Sequence, residues 1–368
     1  MADAELLARA KTLLDQLSER PRFAGSPEEA RARAKCREAL EQAGFSCREL
    51  PFEYSQWPGR WGPPIAAAIQ AATILVVART AVNQGPLAAL VVGAAFLSGL
   101  MFVSSDAKRR WVARFPWQRA QSVNLEARRG NPSVWLVAHL DSKSQTVPML
   151  IRIASSVTLA VVTTAAFVTL LLSLAGLSGV RSVWPLLEIA AAVGALPSLL
   201  CFVRNDSPGA LDNASGVAGV LIACRQSASA AQDLGVLITS GEELGLAGAR
   251  AWAAEAGPDI SVINCDTVDD AGGWRCMYTG PKPRRITVAA ETIAARLGLK
   301  LTVGRLIPGI LADSMAFADR GIESVTVSRG TLSTLARIHT RRDNSNALAG
   351  TGVVDAGALL SALAKELS

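Results

Sequence analysis

Four stretches of this 368-residue chain are almost free of charge, and they constrain its fold more than any other feature. Residues 61–78 and 80–105 hold no Asp, Glu, Lys or Arg and are divided only by Arg79. Residues 153–180 hold none either, and 182–203 contain only Glu188, flanked by Arg181 and Arg204. A membrane-spanning helix needs about 20 apolar residues, and a soluble core helix rarely runs that far without a charge. The expectation is four transmembrane helices in two hairpins, turning at residues 79–86 and 176–185. Composition agrees. Half of the residues are hydrophobic and only 18% are charged, against about 25% in a soluble domain. Mean hydropathy is +0.29.

Two hairpins return the chain to its starting side. On that side lie Arg60, Lys108, Arg109, Arg110, Arg114, Arg119, Lys143, Arg152 and Arg204, whereas the turns offer only Arg79 and Arg181. The positive-inside rule places the soluble parts and both termini in the cytoplasm of a multi-pass membrane protein. Trp57, Trp61, Trp111 and Trp117 fall where an interfacial aromatic belt belongs. Six cysteines form no CxxC pair, which reads as reduced thiols, and the amphipathic N-terminus lacks the order of a signal peptide. The net charge of +6 fits an anionic partner. The basic run Lys108–Arg114 abuts an apolar segment without any stacking or groove-reading motif, so the partner implied is the lipid bilayer and not nucleic acid.

The remaining segments, 1–60, 106–147 and 204–368, read as one soluble domain interrupted by the hairpins at 61–105 and 148–203. Helical spacing runs through Leu6–Leu17, and Ser26–Pro27 opens a second helix ending near Gly44. Strands are expected at Phe45–Ser55, Ser122–Ala127, Ser133–Leu140, Leu234–Thr239, Ile260–Cys265 and Glu323–Ser328, with helices at Gly216–Cys224 and Leu244–Glu255. This alternation implies an α/β sandwich with a mixed, largely parallel sheet. Its functional residues belong at the C-terminal ends of strands.

Polar residues gather at those ends. VWLVAHLDS carries His139 and Asp141, GALDNASG carries Asp212 before a helix, LITSGEELG carries Glu242 and Glu243, ISVINCD ends in Asp266, and ARIHTRRDN supplies His339. Singly, each has a plainer reading. An Asp before a helix is most often an N-cap, and an acidic pair in a first turn complements the helix dipole. Together, two imidazoles and several carboxylates form a donor set for divalent ions, zinc above all. Paired metals need a bridging carboxylate and a free one as base. His139 and His339 are the only two histidines in the chain.

These stretches resemble peptidase family M28, the co-catalytic zinc aminopeptidases. The resemblance is carried by AHLDS, GALDNASGVA, GEELGLAGAR, Asp266, ADSMAFADRGIESV, His339–Thr340 with Asp343, and the Ala-Gly-Ser-Pro run from Ala24. It covers residues 1–60 and 120–368 and implies a zinc-aminopeptidase-like three-layer sandwich. It further implies two Zn2+ per chain, one held by His139 and Asp266 and the other by Glu243 and His339, with Asp212 between them. Glu242 would be the general base, and the Asp141 carboxylate would orient the His139 ring. Short peptides with a free N-terminus would be the substrate. Two departures stand out: His139 and Asp212 are 73 positions apart where the family has a short loop, and Ser314 follows Asp313 where relatives often carry His. The competing readings are a single-zinc glutaminyl cyclase and a non-catalytic membrane scaffold. The composition indicates no oligomeric state.

Overall fold

The computed structural model describes residues 2–102, 112–227, 233–307 and 309–368. It divides into two compact units: Met1–Tyr54, Arg119–Ser144 and Arg204–Ser368 in one, Ser55–Gln118 and Gln145–Val203 in the other. In chain order the principal elements are α1 (Ala2–Leu17), α2 (Pro27–Gln42), β1 (Ser46–Ser55), α3 (Trp57–Asn83), α4 (Pro86–Phe102), β2 (Arg119–Arg129), β3 (Val134–His139), α5 (Met149–Leu174) and α6 (Trp184–Leu199). There follow α7 (Ser215–Gln226), β4 (Leu234–Thr239), α8 (Ala247–Ala253), β5 (Ser261–Val268), β6 (Gly273–Tyr278), α9 (Arg284–Arg296), β7 (Leu301–Arg305), α10 (Ser314–Ala318), β8 (Glu323–Gly330), α11 (Leu332–Arg337) and α12 (Thr351–Leu367).

The first unit is built on an eight-stranded sheet in the order β1-β2-β4-β3-β5-β8-β6-β7. Its centre is parallel: β3 pairs with β4 and with β5, and β5 pairs with β8, all in one direction. The antiparallel pairings β2–β4 and β8–β6 flank that centre. The continuous apolar runs of β3 and β4 follow from this position, since every residue of both strands is buried. Trp135 of β3 packs against Trp252 at 4.7 Å between ring centroids, and Trp252 packs against Phe317. A side chain at Gly235 would meet the Trp135 ring at 2.3 Å, so the neighbouring strand needs glycine there. On α7 nearly every residue is buried, from Ser215 to Cys224.

The second unit contains α3–α6. Ile74, Val77 and Ala78 of α3 pack with Val162, Ala166 and Leu170 of α5 and with Trp184, Leu187 and Ala191 of α6. The outward faces are apolar as well, with Val161 61% exposed, Ile189 62% and Leu186 66%. Helices that are hydrophobic all round suit a lipid environment. Interhelical polar contacts hold them, as is usual between membrane helices. Gln70 donates to Thr163 Oγ1 at 2.9 Å, and Ser155 donates to the Gly194 carbonyl at 2.6 Å.

Among the described residues, three helices are long and apolar enough to cross a membrane: Trp57–Asn83, Met149–Leu174 and Gly179–Leu199. That corrects the expectation of four. The charge-free run 80–105 is not one helix, because residues 80–83 finish α3 and Gly85, at φ +97°, turns the chain. The helix after that turn is described over Pro86–Phe102, 17 residues against the roughly 20 typical of a span, and residues 103–111 lie outside the described residues. Lys108, Arg109, Arg110 and Trp111, which weighed in the positive-inside argument, lie outside the described residues.

Candidate metal centre

Three of the site segments lie at or near the ends of buried strands, and the other two flank helices. His139 is the last residue of β3, and its ring is fully buried. Its Nδ1 lies 3.0 Å from the Asp141 carbonyl oxygen and 3.7 Å from the Asp141 carboxylate. The carboxylate has other work. It accepts hydrogen bonds from the backbone N–H groups of Glu242 at 3.2 Å and Glu243 at 3.3 Å. Asp141 thus faces the His139 ring with both its carbonyl and its carboxylate, the carbonyl being the nearer, and its side chain also holds the Glu242–Glu243 turn.

That turn differs from the expected helix start. Gly241 at φ +70° ends β4, Glu242–Leu244 form a short 3-10 turn, and Leu246 at φ +62° precedes α8. The reversal directs both glutamates inward, 5% and 8% exposed. Asp212 lies in the turn before α7, after Gly209 at φ +64°. A side chain at Gly209 would meet Ser142 Cβ at 2.5 Å and the Asp212 carbonyl at 2.6 Å, so the approach requires glycine. Asn213 ties this turn to β5, donating to the Cys265 carbonyl and accepting from the N–H groups of Gly216 and Thr267. Asp266 sits two residues inside the end of β5. His339 follows α11 in the left-handed region, at φ +60°.

Buried Arg22 joins the chain on both sides of the interruption. Its guanidinium donates to the carbonyls of Leu140, Pro208 and Gly209, while its N–H donates to Ser142 Oγ. The 73 positions between His139 and Asp212 thus cost the site nothing in proximity.

The five candidate ligands fall into two groups that share one residue. His139, Asp212 and Asp266 can each offer a ligand atom, all within 4.8 Å of one another, and so can Asp212, Glu243 and His339. Asp212 Oδ1 is 3.1 Å from His139 Nε2, and Asp212 Oδ2 is 3.1 Å from His339 Nε2. His139 Nε2 also faces Asp266 Oδ1 at 3.7 Å, and His339 Nε2 faces Glu243 Oε1 at 3.1 Å. Two of these atoms, His139 Nε2 and Glu243 Oε1, are buried without a hydrogen bond. Buried polar atoms ordinarily find partners, and nitrogen and oxygen atoms converging in this way suit zinc.

A sequence model of peptidase family M28 matches residues 122–364. The chain belongs to peptidase family M28. No curated protein matches the sequence. The fold is that of solved M28-like structures. An aminopeptidase from Aneurinibacillus sp. strain AM-1 superposes with a TM-score of 0.58 at 14% identity, over 98% of this chain and 93% of that one. A zinc aminopeptidase from Bacillus subtilis gives 0.56 at 14%, over 97% and 94%. A glutaminyl cyclase from Fimbriiglobus ruber gives 0.54 at 14%, over 98% and 95%. Family and fold together support a zinc-dependent, peptidase-like hydrolase.

The electrostatics of this M28 site suit a cation. Burial pushes Glu242 well above the usual carboxylate range, reinforced by Glu243 and Asp266. Burial also raises Asp266. Burial would raise Asp212 too, but hydrogen bonding to His139 and His339 outweighs it and holds Asp212 low. Asp313, fully buried and hydrogen-bonded to Thr239 Oγ1 at 2.5 Å, is pushed up to about 7 by burial. So many buried carboxylates need compensating positive charge.

Several contributors escaped the sequence reading. Lys143, counted there among the membrane-side cations, instead bonds Glu243 Oε2 at 2.7 Å. Arg22 and Asn213 carry no signal of their own in a single sequence. Asp343 was visible only through the family resemblance; it accepts from the N–H groups of Leu211 and Asp212 and so supports the shared carboxylate. Ser314, where relatives often carry His, is buried and bonded to Thr326 Oγ1 at 2.7 Å.

Proposed function

We propose that this chain is a membrane-anchored aminopeptidase that hydrolyses short peptides at a two-zinc centre. One observation carries the reading: the two oxygens of Asp212 each face a different histidine at 3.1 Å. His139 and Asp266 would hold one Zn2+ and Glu243 and His339 the other, with Asp212 offered to both. Zinc, when bound, would lower the pKa of a water and polarise a carbonyl as a Lewis acid.

The protein's own groups do the rest. Glu242, whose proton affinity is raised by burial, takes a proton from the attacking water and delivers it to the leaving amine. Asp141 fixes the backbone from which Glu242 projects. The buried strand ends exclude bulk water, which strengthens each electrostatic contact. The three long apolar helices anchor the enzyme in a bilayer. The shorter apolar helix α4 returns the chain after α3, so that the catalytic segments and both termini face the cytoplasm, on the bias of Arg60, Arg152 and Arg204 against Arg79 and Arg181.

Purified protein offered a panel of short peptides should release their N-terminal residues, and blocking the peptide N-terminus should abolish release. Conversion of N-terminal glutamine to a cyclic product without peptide cleavage would instead identify a glutaminyl cyclase.

A further inference from the structure

The two ligand groups share a plan but differ in the charge placed behind them. Glu243 Oε2 receives the Lys143 ammonium at 2.7 Å, and the same ammonium donates to the carbonyl oxygen of Glu243 at 2.9 Å. Lys143 thus grips one residue at both ends, with its side chain only 12% exposed. His339 Nε2 lies 3.1 Å from both Glu243 oxygens; Oε2 already holds the ammonium, whereas Oε1 is buried without a hydrogen bond. In the other group the Asp266 carboxylate takes a neutral donor, Thr267 Oγ1 at 3.0 Å.

We propose that Lys143 is a positioning residue that restricts Glu243 to ligation through Oε1, making the His339–Glu243 metal position the weaker and more exchangeable of the two. The proposal rests on the two-zinc reading above. Two physical effects act in the same direction. An ammonium on Oε2 denies a metal the second oxygen and lowers the basicity of the carboxylate. Its full positive charge also repels a dication bound a few ångströms away in a medium of low dielectric. The Thr267 hydroxyl carries no charge, and it bonds the Asp266 oxygen that faces His139 and not the second one.

The test uses the full chain in detergent, stripped of metal and titrated with zinc against a chromophoric chelator. The wild type should bind two zinc ions in unequal steps. His339→Ala should remove the weaker step and His139→Ala the tighter one, an assignment that needs no change at Lys143. Lys143→Gln keeps a donor to Oε2 but not the charge, and should tighten the weaker step about tenfold while leaving the other unchanged. Lys143→Arg keeps the charge and should leave the steps unequal. Equal steps in the wild type, the reversed histidine assignment, or a Lys143→Gln variant whose weaker step stays put or weakens would each overturn the proposal. A wild type that binds one zinc overturns instead the two-zinc reading beneath it.

Discussion

His139 presents Nδ1 to the Asp141 carbonyl oxygen at 3.0 Å, nearer than the Asp141 carboxylate at 3.7 Å, which accepts from the backbone N–H groups of Glu242 and Glu243. One residue therefore sets the ring of a metal ligand with its main chain and the pose of the base with its side chain. Asp141→Asn separates the two roles. It replaces one acceptor by a donor facing a backbone N–H, a buried mismatch worth about 1–3 kcal/mol. Denaturant unfolding should show that loss, with kcat reduced. Zinc affinity of the His139 group should hold, because the carbonyl is untouched; a large fall there would mean that the carboxylate orients the ring.

Glu242→Gln removes the proposed base while preserving shape. Turnover should drop by about 10²–10⁴-fold, the range for a lost general base, with zinc content unchanged. Near wild-type hydrolysis by this variant would reassign the base.

Glu29 supplies a pH dependence away from the metals. It is fully buried on α2, accepts from the Gly25 N–H at 2.7 Å and Ser122 Oγ at 3.2 Å, and leaves Oε1 without a hydrogen bond. Burial, then the nearby Asp141 charge, raises its carboxyl from 4.5 to about 7, against the opposing effect of Arg33. The folded protein keeps this proton at pH values where the unfolded chain has released it. Folding therefore takes up a proton between about pH 4.5 and 7, and stability falls as the pH rises through that window. Glu29→Gln should remove on the order of 3 kcal/mol of that decline. Denaturant midpoints at pH 5 and pH 8 read this directly; equal pH slopes in variant and wild type would show that Glu29 stays ionised.

The sequence exposed those parts of the fold that depend on burial periodicity. The β4 strand Leu234–Thr239 matches its expected bounds, and β3 is one residue shorter at each end than its apolar run. Strands β6 and β7 at the far edge went unread, because GWRCMY and LTVGR mix exposed and buried positions and β7 lacks any fully buried residue. The chemical residues stood out because His139, Glu242, Glu243 and Asp266 lie at or just after strand ends and because His339 is the one other histidine. Their supports did not. Arg22 reaches its carbonyl partners from more than a hundred positions away, and Lys143 beside a hydrophobic run looks like any interfacial lysine until the strand ends are brought together. The division of the run 80–105 has a local cause: a charge-free run records composition, while Gly85 decides where one helix stops.

Membrane orientation is open to labelling. Cysteines placed at Gly85 and Gly176, both in turns at positive φ with open space around them, should react with an impermeant thiol reagent on intact cells. A cysteine at either terminus should react only after the membrane is breached. The opposite pattern would place the catalytic segments outside.

The central claim is that Asp212 joins two metal positions in one site, and the zinc-to-protein ratio of the purified, active chain tests it most directly. Two zinc ions per chain, both lost on Asp212→Asn together with peptide hydrolysis, is the expected result. A single zinc per fully active chain would contradict it.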